Sequence, residues 1–148
     1  MYNLFVKLTT NKNLYKSLVK QDTFSDRITL FLFHFAFFLK TFKKEENTII
    51  LQEIYDFIFR QIELSIREIG YGDQSINKKM KDYINTFHGI VDTIHFWETM
   101  DHNKREEKIC SYLNDFNEMK YLIEYFDEFR VNLSKKTLNS YLKSVSNQ

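Results

Sequence analysis

Proline is absent from the 148 residues, and glycine occurs only at 70, 72 and 89. Sandwiches and barrels need many tight turns built on these residues, so their scarcity argues against a β-rich fold and suits long helices. A single cysteine, Cys110, excludes an internal disulfide framework and a thiolate zinc site, and reads as a small buried apolar residue. An excess of one charge is missing too, because 21 basic and 20 acidic side chains leave a net charge of +1. Neutralising several phosphates takes a basic surplus, so nucleic acid is not an expected direct partner. Long apolar runs are also lacking. The most apolar stretch, Ile28 to Leu39, is bracketed by Arg27 and Lys40 and contains His34. It falls short of the roughly 20 apolar residues needed to span a bilayer, and reads as a buried helix in a soluble chain that lies at most against a membrane. The N-terminus, Met1-Tyr-Asn-Leu-Phe-Val-Lys7, lacks the basic start and apolar block of a secretory signal.

What is present is core-forming material. Hydrophobic residues make up 43% and charged residues 28%, a balance that supports a packed core and differs from that of a disordered chain. The length fits one domain over 1–148, with a tail expected to fray after about 145. Apolar spacing predicts about six or seven helices and no strands, an all-α bundle. A first helix is expected over Lys12–Lys20. The second runs from a Ser25 or Asp26 cap to Lys43 and is apolar nearly all round, which suits a central helix or one that leaves a strip for a partner. A third, Asn47–Ile69, carries the stripe Ile50, Ile54, Phe57, Ile58, Gln61, Ser65 and Ile69, widened by Leu51, Tyr55, Ile62 and Ile66. Gly70 should stop it in the left-handed conformation, with Tyr71 folding back on Ile66, Gly72 keeping the turn tight, and Asp73 or Ser75 capping the next helix. That fourth helix, Ile76–Met100, has its apolar face at Ile76, Met80, Tyr83, Phe87, Ile90, Ile94 and Trp97. Shorter helices follow over Lys104–Asp115, Asn117–Leu133 and from Leu138 onward.

Few residues point to chemistry. His88, His95 and His102 are seven apart, and Asp92 lies between the first two. On one continuous helix His88, Asp92 and His95 could hold a metal, so a metal-dependent helical enzyme is one alternative. The Glu-x-x-His pairs of a di-metal bundle are missing, and half-buried polar residues flanking a core stripe explain the same letters. His34, amid phenylalanines, fits a core histidine bonded to a carbonyl. Gly70-Tyr-Gly72-Asp73 lacks the strand and third glycine of a dinucleotide loop, and no nucleophile elbow occurs. No catalytic residue and no cofactor is therefore expected, and the chain reads as a non-enzyme that works by contact.

Asp22-Thr23, Arg27, Leu30, His34 and Leu39-Lys40 resemble the Asp-Thr…Gly-Arg…Leu-x-x-x-His…Leu pattern of the ubiquinol–cytochrome c chaperone family, the cytochrome b assembly factors of bacteria and mitochondria. Tyr55-Asp-Phe-Ile-Phe59, Arg67-Glu-Ile-Gly70-Tyr-Gly72-Asp73, Lys78-Lys79-Met80-Lys81 and Phe87-His-Gly89 are similar to its Phe-x-x-Met-Asp…Leu-Arg-Glu-Met-Gly-Val-Gly-Asp…Lys…Phe-Tyr-Gly-Arg block. Tyr2 and Leu14-Tyr15 stand where the family has a Tyr and a Phe-Tyr pair. Departures include Gln21 in place of a proline, Ser25-Asp26 for Asp-Gly, Glu63 for the acid of the Met-Asp pair, His88 for a tyrosine, and Ile90 for an arginine. The resemblance implies an assembly chaperone for the cytochrome bc complex (respiratory complex III) that holds newly made cytochrome b. A second assembly factor and the ribosome are further candidate partners. It implies a partner-binding set of Arg27, His34, Arg67, Glu68, Tyr71 and Asp73, with Gly70 and Gly72 as the structural turn. The expected location is the cytoplasmic side of a bacterial inner membrane, peripheral to it, or the mitochondrial matrix in a eukaryote. A general helical interaction module with another partner is the remaining alternative.

Overall fold

The structure, a computed structural model, describes residues 24–113 and 119–146. The expected helix over Lys12–Lys20, the Asp22-Thr23 motif, and the Tyr2 and Leu14-Tyr15 matches lie outside the described residues. Within them the chain forms α1 (Phe24–Phe42), α2 (Thr48–Ile69), α3 (Asp73–Ile94), α4 (His102–Cys110), α5 (Met119–Ser134) and α6 (Leu138–Ser146). Short 3-10 turns occur at Glu45–Asn47 and Trp97–Thr99, and no strand occurs among the described residues. This is the all-α bundle the periodicity predicts.

The choice left open for the apolar second helix is settled by packing. Every residue of α1 from Ile28 to Phe38 is buried. Each side of it meets a different neighbour. Phe35 stacks on Phe87 of α3 at 5.2 Å, while Phe33 and Phe37 meet Phe126 of α5 at 5.5 and 5.4 Å. Phe38 meets Tyr141 of α6 at 5.5 Å. A helix surrounded in this way has no solvent face to keep polar, which accounts for its composition. Fully burying one such aromatic or aliphatic side chain contributes about 1.5–3 kcal/mol. Ser25 and Asp26 lie inside the helix rather than at a cap. Thr29 Oγ1 donates to the Ser25 carbonyl at 2.9 Å.

α1 and α3 run parallel: five residues beyond the Phe35–Phe87 stack, Lys40 Nζ donates to the Ile94 carbonyl at 2.9 Å. α2 packs against both, with Tyr55 meeting Phe35 at 6.4 Å and Phe87 at 5.9 Å, and runs antiparallel to α3, since Arg67 at its end reaches Asp73 at the start of α3. Its buried line is Leu51, Ile58, Phe59, Ile62 and Ile66. Phe57 and Ile69, expected on that stripe, are each 50% exposed: the buried arc is rotated away from Phe57, and Ile69 is the last residue of the helix, beyond its packed neighbours. The stripe of α3 holds, with Ile76, Phe87, Ile90, Ile94 and Trp97 buried and Met80 and Tyr83 packed beside them. Gly89 on this helix faces the turn after α4: a Cβ there would lie 2.6 Å from the Tyr112 hydroxyl oxygen.

The expected continuous helix from Ile76 to Met100 breaks at Ile94. Lys40 takes up the Ile94 carbonyl, and the chain turns through Trp97–Thr99 before α4 begins under an Asp101 cap. Trp97 fills the corner. Its Nε1–H donates to Asp127 Oδ1 at 2.9 Å, and Arg105 lies over its ring at 4.7 Å. Arg105 also donates to the Trp97 carbonyl at 3.0 Å and to Asp127 Oδ2 at 2.7 Å. Glu98 receives Lys40 and Arg130, so this polar cluster ties α1, α4 and α5 to the corner.

Candidate partner-binding site

The turn after α2 gathers several of the expected residues. Gly70 adopts φ 101° and ψ 18°, the left-handed conformation, and its N–H donates to the Arg67 carbonyl at 3.0 Å. Gly72 has φ −73° and ψ 161°, an ordinary extended geometry, and occupies the cap position of α3 itself. Asp73 is thus the first residue of the helix rather than its cap, and Ser75 lies within the first turn. Asp73 instead accepts from Arg67 Nη1 at 2.9 Å, while Arg67 Nη2 donates to Glu63 Oε1 at 3.2 Å. One guanidinium therefore bridges the end of α2 to the start of α3 across the turn. Tyr71 does not bury itself on Ile66. Its ring is 42% exposed, with Lys79 Nζ 4.5 Å from its centroid. Glu68 is exposed beside this turn. Arg67, Glu68, Tyr71 and Asp73 thus form one surface cluster.

That cluster continues an apolar surface on the outside of α2. Phe57 and Leu64, seven residues apart, are 50% and 47% exposed. At about 100° per residue, Ile49, Phe57, Leu64 and Arg67 fall within one side of the helix, opposite the buried line. No sequence rule distinguished these apolar residues from core ones; only the phase of the buried arc does.

The remaining expected site residues are scattered. Arg27 is exposed in the first helical segment of α1. His34 is fully buried: its Nδ1–H donates to the Leu30 carbonyl at 2.7 Å, and its Nε2 accepts from the Tyr125 hydroxyl at 2.7 Å. Burial holds its pKa down at about 4 against the opposing pull of the Leu30 hydrogen bond. The ring sits edge-on to Tyr125, Phe126 and Phe129 and fastens α1 to α5. Cys110 is half-buried, and burial, with Glu106 nearby, pushes its thiol up.

The histidine row does not survive as a row. His95 is the residue after α3 and lies edge-on to Phe96, while His102 opens α4 and approaches Glu106 at 3.7 Å. Among the described residues, no group of three His, Cys, Asp or Glu side chains is placed to hold a metal ion. His88 instead faces Tyr55, whose hydroxyl lies 3.5 Å from Nε2.

His88 and His95 do share a groove of about 700 Å³ between the C-terminal halves of α1 and α3 and the N-terminal half of α2. Leu39, Leu51, Phe87 and Val91 supply its apolar wall, and Lys40, Lys43 and Lys44 its charge. Sequence reading missed it because its lining comes from three helices. Among the described residues, no helix is long and apolar enough to cross a membrane.

The family model described as ubiquinol-cytochrome C chaperone matches residues 17–94, the span holding α1, α2, the Gly70 turn and α3. The solved structure of the Cbp3 homolog from Brucella abortus has the same fold, with a TM-score of 0.79 at 23% identity, covering 95% of this chain and 81% of that one. A comparison with curated proteins found no match. With more than half its length matched, the chain belongs to the ubiquinol–cytochrome C chaperone family.

Proposed function

We propose that this chaperone holds newly made cytochrome b during assembly of the ubiquinol–cytochrome c reductase complex, using the outer face of α2 and the turn that follows it. The family supplies the class of work. The supporting observation in this chain is the exposed apolar pair Phe57 and Leu64, running into the ion-paired cluster of Arg67, Glu63 and Asp73 beside Tyr71. A membrane-protein client before assembly offers apolar helix faces, and an apolar strip with a polar end is a surface that an amphipathic segment can match in position and register. Arg67 is already engaged with two carboxylates, so it contributes a set shape and orientation rather than an unpaired charge. Nothing in this arrangement requires a reaction. The work is contact, released when the next subunit arrives.

Affinity capture of the protein from cells tests this reading. Cytochrome b should be recovered, and a deletion strain should lose assembled bc complex. Recovery of an unrelated soluble client, together with normal bc-complex levels in the deletion strain, would refute it.

A further inference from the structure

We infer that the end of the bundle carrying the α1–α2 connection docks on a membrane surface, with the neighbouring groove taking an acyl chain of an anionic phospholipid. Three observations converge there. The groove has an apolar wall, yet none of its twelve lining residues is Asp or Glu, while three are lysines. Lys43 and Lys44 are exposed and, among the described residues, enter no ion pair, whereas Lys40 is held by Glu98. Glu45 and Glu46 follow in the 3-10 turn but do not line the groove.

The second observation is exposed apolar surface at residues next in sequence to the groove lining. Among the described residues, Ile49 and Phe96 are the most exposed large hydrophobic ones, at 78% and 62%. Each adjoins a groove residue in sequence, Ile49 following Thr48 and Phe96 following His95. Apolar side chains flanked by lysines are what an interfacial surface presents to a bilayer: the apolar groups enter the headgroup boundary and the ammonium groups meet lipid phosphates.

The third is size. A protein partner of ordinary affinity engages about 20–30 residues a side, whereas pockets for small ligands run from about 300 to 1,000 Å³. A groove of about 700 Å³ with twelve lining residues belongs to the second class. An ammonium cluster beside an apolar wall selects an anionic head attached to a hydrocarbon chain. The surface lies at the opposite end of α2 from the Gly70 turn and shares only Ile49 with the outer face of that helix, and it stands whether or not cytochrome b is the client.

Co-sedimentation with vesicles tests the inference. The full chain should bind vesicles of phosphatidylcholine mixed with phosphatidylglycerol and ignore phosphatidylcholine alone. Lys43→Ala/Lys44→Ala should weaken binding roughly 25-fold, at about fivefold per lysine. Phe96→Ser, at an exposed position, should weaken it with helicity by circular dichroism unchanged. Soluble lysophosphatidylglycerol should shift the Val91 methyl and His88 ring NMR signals, and glycerol phosphate, which lacks the chain, should not. Equal binding to neutral vesicles, binding to neither kind, or an unweakened double-lysine variant would each overturn the inference. So would glycerol phosphate acting as well as the lysolipid.

Discussion

His34 makes acid a specific destabiliser of this fold. Its ring is enclosed by three aromatic rings and donates to the Leu30 carbonyl while accepting from the Tyr125 hydroxyl, a pattern that requires the neutral tautomer. In the unfolded chain its pKa returns from about 4 to the ordinary 6.5. Between those values the unfolded state binds a proton that the folded state refuses, so stability falls as pH drops below about 6.5 and the loss levels off near 4. At about 1.4 kcal/mol per pH unit, the full loss is about 3 kcal/mol. That is a large share of the roughly 5–15 kcal/mol of a typical domain. Other groups also titrate. Glu98 is raised by burial but held lower overall by Lys40 and Arg130, so its contribution is lost at still more acid pH. The informative quantity is therefore the difference between wild type and His34→Leu, measured by urea unfolding from pH 7.5 to about 4.5. The wild type should lose about 2–3 kcal/mol relative to the variant over that range. A difference that stays constant with pH would show that His34 is not held neutral, and the reasoning would fail.

Other outcomes follow from the same geometry. Gly70→Ala should cost about 1–2 kcal/mol because its φ is positive, whereas Gly72→Ala should be neutral or slightly stabilising, and thermal melts compare the two directly. Asp127→Ala removes the partner of the Trp97 N–H and of Arg105. It should cost about 2 kcal/mol and alter the emission of the single tryptophan. Phe57→Ser and Leu64→Ser should change stability by less than about 0.5 kcal/mol while lowering recovery of cytochrome b in affinity capture, since both side chains are largely exposed.

Much of this architecture is legible in the residues, and the failures have physical causes. The all-round apolarity of α1 and the face of α3 follow from side-chain spacing, because burial on one or on all sides leaves a periodic record. The Gly70 stop follows from a single conformational requirement. The end of α3 at Ile94 leaves no such mark. No glycine or proline stands there, and the break depends on Lys40, more than fifty residues earlier, taking the Ile94 carbonyl. The place of Phe57 on α2 was misread for a related reason: it is as apolar as a core residue, and only the position of neighbouring helices shows that it lies outside, while Ile69 is exposed because the helix ends there. His34 illustrates both. Its letters fit a core histidine bonded to a carbonyl, which is what the structure has at Leu30, while the link to Tyr125 that makes it a fastener between α1 and α5 spans 91 residues and leaves no local mark.

The most direct measurement of client contact is photo-crosslinking in cells from a reactive residue placed at Phe57, with the same residue at exposed Asp82 on α3 as the comparison. Newly made cytochrome b should be captured from position 57 and not from position 82. Equal capture from both sites, or capture at 57 of a protein unrelated to the bc complex, would contradict the assignment of the outer face of α2 to cytochrome b.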